Sequence, residues 1–127
     1  MIESDIERIV QVIKQQAELF LLNAREFYPF GTYINMNDKI VPVGAYPGGE
    51  HPASADVIDL LERGYNKKIQ NNECKIGAIA LDIFINQNGE KYDGIEIRFF
   101  EPGKDIYSQV WKYLIKDGYV EFVKFDD

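Results

Sequence analysis

Residues 74–100 read CKIGAIALDIFINQNGEKYDGIEIRFF, and the alternation in this stretch decides the fold. Gly77, Ile79, Leu81, Ile83 and Ile85 fall on every second position, as do Ile95, Ile97 and Phe99 beyond the polar break. A period of two belongs to a strand, so the segment predicts a long antiparallel hairpin. The intervening positions of its first strand, Ile76, Ala78, Ala80 and Phe84, are apolar too, broken only by Asp82. A strand apolar on both faces predicts a central position covered at least in part on both sides. The small Ala78 and Ala80 leave room for a helix to approach.

The register of this hairpin follows from which residues share a face. Facing residues of an antiparallel pair point to the same side, so a two-residue Asn88-Gly89 turn sets Leu81 opposite Glu96, whereas an odd loop sets it opposite Ile97. The odd loop is expected, with Gly89 left-handed. Asp82 then has Arg98 within diagonal reach, and a cross-strand ion pair is its expected role, with a catalytic carboxylate as the alternative.

Upstream, the pattern changes to helical spacing. Ser4 with Glu7 has the spacing of a capping box, and Ile6, Ile9, Val10, Ile13, Ala17, Phe20, Leu21 and Ala24 predict an amphipathic helix over 5–25. Pro29 disfavours a helical Tyr28, which ends the helix by about Glu26. Thr32, Ile34 and Met36 then alternate with Tyr33 and Asn35, and IVPVGAY follows Asn37-Asp38 as a second strand. Pro42 cannot donate to a ladder, so that strand belongs at an edge, or its missing donor points out of the sheet. After the loop GGEHP a second helix starts at Ser54 or Pro52, with Val57, Ile58, Leu61, Tyr65 and Ile69 on one stripe. Gly64 inside it suggests close packing at that turn.

Downstream, residues 105–116 admit two readings. Ile106, Val110 and Leu114 fit a helical stripe, but the abundance of Tyr, Val, Trp and Ile and the turn signal Asp117-Gly118 favour two strands, pairing Tyr113 with Phe122 and Ile115 with Val120. The order α-β-β-α-β-β-β-β predicts an α+β two-layer sandwich with a mainly antiparallel sheet in a single domain over 1–127. It is similar to profilin-like and roadblock-like layouts.

Composition narrows the function. The chain has 127 residues, 46% of them hydrophobic, enough for one core without disulfides or metals. Cys74 and His51 are the single residues of their types, so a thiolate-rich zinc site is excluded and neither metal nor cofactor is expected. There is no 18-residue apolar run and no signal-peptide pattern at the N-terminus, so the expected setting is cytoplasmic, with no membrane partner. Asp and Glu number 21 against 14 Lys and Arg, for a formal charge of −7. That balance argues against nucleic acid and suits solubility or capture of a basic protein partner.

No pattern of catalytic residues emerges. Glu50-His51 lies in a Gly-rich loop before a helix, where free amides could hold an anion and His51 could move a proton, but GGEHPAS matches neither a P-loop nor a dinucleotide fingerprint. Cys74 beside Lys75 is reactive only if both are exposed. Asp56, Asp59 and Glu62 read as a solvated helix face. The segment FYPFG (27–31), the hairpin after it and the second helix opening after His51-Pro52 resemble short uncharacterised bacterial single-domain proteins, some of them immunity-protein-like. That resemblance implies a small protein-interaction module, an immunity-type inhibitor binding through an acidic and aromatic surface. The candidate binding residues are Tyr28, Tyr33, Tyr46, Glu50 and His51. The alternative is a small-molecule binding domain or minor enzyme with a pocket near Tyr28, Tyr33 and His51.

Overall fold

A computed structural model describes residues 4–44 and 54–125. In chain order the elements are α1 (Asp5–Ala24), β1 (Phe30–Asn35), β2 (Ile40–Val43), α2 (Ser54–Gln70), β3 (Cys74–Gln87), β4 (Glu90–Phe100), β5 (Tyr107–Ile115) and β6 (Val120–Lys124). The strands form one antiparallel sheet in the order β2-β1-β3-β4-β5-β6. This is the expected α+β class and element order. Residues 107–124 are two strands, with Tyr113 facing Phe122 and Ile115 facing Val120. The strand carrying Pro42 is an outer one, where a missing donor leaves no gap in the ladder.

Local signals set the helix ends. Ser4 Oγ accepts from the Glu7 backbone N–H at 3.1 Å, and α1 closes at Arg25, which is left-handed (φ 61°) and donates its N–H to the Leu21 carbonyl. Phe27 and Phe30 then pack edge to face with ring centres 5.4 Å apart, tying the helix exit to the sheet.

Both faces of β3 are buried, each under its own helix. On one face Ile76, Ala78 and Ala80 join Ile95, Ile97 and Phe99 beneath Ile9, Ile13, Ala17 and Leu21 of α1. On the other, Ile79, Leu81 and Phe100 meet Val57, Leu61 and Tyr65 of α2. The helices therefore lie on opposite faces, and the centre of the sheet carries a helical layer on each side where a two-layer arrangement was expected.

That layering also corrects the hairpin register. Leu81 faces Glu96, Ala80 faces Ile97 and Ala78 faces Phe99 across a two-residue turn in which Asn88 and Gly89 both have positive φ (54° and 80°). The expected odd loop and Leu81–Ile97 pairing are incorrect. Volume explains the observed choice, because the large Ile97 and Phe99 sit beside alanines so that α1 can approach, while Leu81 belongs to the core under α2. The primed turn also suits the twist of the strands.

The expected tight contact at Gly64 is likewise absent, since a Cβ there would meet nothing within 4 Å. The close approach is made one residue on, by Tyr65. A Cβ on Gly77 would lie 2.9 Å from its ring, and one on Gly31 would lie 2.1 Å from its hydroxyl oxygen. That hydroxyl sits between the Ala78 and Thr32 carbonyls at 2.7 and 3.2 Å. Two glycines facing one another's neighbours across β1 and β3 thus make the bed for one buried ring.

Candidate functional site

Helix and strand lengths leave part of the sheet uncovered. A 20-residue helix is about 30 Å long and a 14-residue strand about 46 Å, so α1 ends before β3 does. Ala78 and Ala80 lie beneath the helix, and the next residues on the same face, Asp82 and Phe84, emerge past its end. The result is a cleft of about 700 Å³ between the exit of α1, the segment Glu26–Phe30 and the outer reaches of β3, β4 and β5, bordered on its remaining side by Gly44 and Ser54.

Asp82 is half-buried in this cleft and is held in place by two donors. The Tyr113 hydroxyl donates to Oδ1 at 2.8 Å and the Phe27 backbone N–H to Oδ2 at 3.3 Å. The expected ion pair with Arg98 is not formed. In the observed register Arg98 faces Ile79 on the α2 side, where it contacts Glu96 at 2.9 Å and Glu62 at 3.9 Å. Burial raises the pKa of the Asp82 carboxyl; its two hydrogen bonds oppose the shift, and the charges of Asp93 and Glu26 add to it. Burial, followed by the bond to Asp82, also pushes the Tyr113 phenol upward, so this hydroxyl stays a donor.

Rings and carboxylates surround this point. Phe20, Tyr28 and Phe84 line the cleft and are 44%, 52% and 62% exposed, an arrangement that leaves large apolar area facing solvent. Glu26 and Asp93 lie at its margin, and among the described residues neither they nor Asp82 form an ion pair. Arg25 also lines the rim. At the outer edge the Lys91 ammonium stands 3.8 Å from the centre of the Phe84 ring. Chemically, the arrangement offers a fixed carboxylate among aromatic faces, suited to holding an organic cation.

Compared with known proteins, the chain matches no family model, no curated protein and no solved structure. The site therefore rests on its own geometry.

Of the residues singled out in the sequence, Tyr28 lines the cleft, while Tyr33 points to the opposite face of the sheet, half-buried against Tyr65 with ring centres 6.4 Å apart. Tyr28 precedes β1, in the segment that leaves α1, whereas Tyr33 lies within the strand on the α2 side. Tyr46, Glu50 and His51 lie outside the described residues. Cys74 is buried, and burial pushes its thiol up to about 11, so at neutral pH it is not a thiolate nucleophile. Among the described residues no three His, Cys, Asp or Glu side chains converge as a metal-binding group, and no helix is long and apolar enough to cross a membrane.

Sequence reasoning singled out Asp82 but missed Phe84, Asp93, Glu26 and Tyr113 as its neighbours. A signal was present in the lengths. An apolar alternation that outruns the helix able to cover it must expose its last members, and Phe84 is such a member.

Proposed function

We propose that the chain is a small protein-interaction module whose acidic, aromatic cleft at the end of α1 takes a projecting segment of a protein partner. The observation that carries this reading is the exposure of Phe20, Tyr28 and Phe84 around the Asp82 carboxylate, which forms no ion pair among the described residues. Interfaces draw most of their affinity from a few aromatic anchors beside desolvated polar groups within a polar rim, and this cleft has those parts. The excess of acidic residues favours a basic partner. With the resemblance of Phe27–Gly31 and its surroundings to immunity-protein-like chains, it supports an immunity-type inhibitor that works by occluding a basic surface.

The test is site-specific photo-crosslinking in the native host. A benzophenone side chain placed at Phe84 or Tyr28 is expected to capture one discrete protein, and the same group at Met36, equally exposed in the β1–β2 turn, to capture none. Equal capture from all three positions, or none from any, refutes the cleft as an interface.

A further inference from the structure

We infer that the group received by the cleft is the guanidinium of an arginine side chain on the partner, bound to Asp82 and flanked by the rings of Tyr28 and Phe84. This deepens the binding reading above and rests on it. Each Asp82 oxygen already accepts one bond from the protein, Oδ1 from Tyr113 and Oδ2 from Phe27. The carboxylate is therefore fixed in orientation while each oxygen keeps further acceptor capacity. A planar, two-pronged donor uses both oxygens at once, which a single ammonium cannot.

Three further observations select the same chemistry. Asp82, Glu26 and Asp93 carry charge that no cation among the described residues pairs. They do not converge on a point as metal ligands do, so the match is to an extended organic cation rather than a compact ion. The Phe84 ring is 62% exposed and offers area to a planar group, against the like charge of the Lys91 ammonium, which stands 3.8 Å from its centre. Arg25 on the rim carries like charge and opposes binding, so its removal should strengthen it.

The test is an NMR titration of the intact chain with capped arginine (Nα-acetyl-arginine amide), using capped citrulline, its neutral isostere, and capped lysine as comparisons. Capped arginine is expected to shift the amides of Phe27, Asp82 and Phe84, with citrulline weaker by about tenfold and lysine intermediate. Asp82→Asn should weaken capped arginine by about tenfold, and Asp93→Asn, an exposed change that keeps the Asp82 bonds, by about threefold. Arg25→Gln should tighten it. Equal affinity for arginine and citrulline, or shifts centred elsewhere, overturns the assignment. If capped arginine is silent while crosslinkers at Phe84 still capture a partner, the guanidinium assignment fails and the binding reading stands; silence in both experiments removes both.

Discussion

Asp82 is held by two hydrogen bonds and still has a raised pKa, so the fold disfavours its charge more than water does. The sign of the consequence follows by linkage. Between the ordinary carboxylate value and the raised folded value the folded chain binds more protons than the unfolded one, so stability falls as pH rises through that window. Asp82→Asn removes this slope. Asn can accept from only one of the two donors, which adds an offset that does not vary with pH. The melting temperature of the Asn variant relative to wild type is therefore expected to climb as pH rises from the ordinary carboxylate value through the raised folded one, and to level off above it. A fall over that range in parallel thermal melts would show that the charge is stabilised in the fold. Gly64 gives a contrast at the same scale. It lies inside α2 with open space where a Cβ would go, so Gly64→Ala is expected to raise stability by about 0.5–1 kcal/mol in urea unfolding. A loss would mean that the helix packs more tightly at this turn than the open space allows.

At the scale of elements, the contact between α2 and the sheet turns on Tyr65 over Gly77 and Gly31. A methyl at Gly77 meets the ring of the buried Tyr65 at 2.9–3.1 Å. Gly77→Ala is expected to cost about 1–3 kcal/mol in chemical denaturation, by overpacking. Tyr65→Phe keeps the ring but leaves the Ala78 and Thr32 carbonyls without its hydroxyl, a loss of about 1–2 kcal/mol. These contacts explain what could be read from the sequence. Elements and their order were legible because period and turn residues are local: Pro29 stops a helix, Asn88-Gly89 and Asp117-Gly118 turn hairpins. The β3–β4 register was not, because it depends on which face each helix takes. Ile79 and Leu81 could share a side with Ile97 only if one core served both helices, and the opposite placement of α1 and α2 makes the Ala78–Phe99 and Ala80–Ile97 pairings the ones that fill space. The cleft was hidden for the same reason. Asp82 stood out as a lone charge in an apolar alternation, but its partners Tyr113 and Phe27 lie 31 and 55 residues away in sequence.

For the molecule as a whole, two cores lie on opposite faces of one sheet, and β3 is common to both. Its even-numbered residues Ala78 and Ala80 pack under α1, and its odd-numbered Ile79 and Leu81 under α2. Neither core can lose β3 without dissolving the other, so the two should unfold as one cooperative unit. The chain supplies a reporter for this. Its single tryptophan, Trp111, packs against the α1 core and has the Lys14 ammonium 3.4 Å from its ring centre, so its fluorescence reads that side alone. Leu61→Ala truncates a buried side chain on the other side, at a cost of about 2–5 kcal/mol. If β3 couples the cores, Trp111 fluorescence and far-ultraviolet circular dichroism should shift together to the same lower urea midpoint in this variant. A Trp111 transition left at the wild-type midpoint, with the dichroism signal moving ahead of it, would show instead that α2 detaches from a sheet that α1 alone can hold.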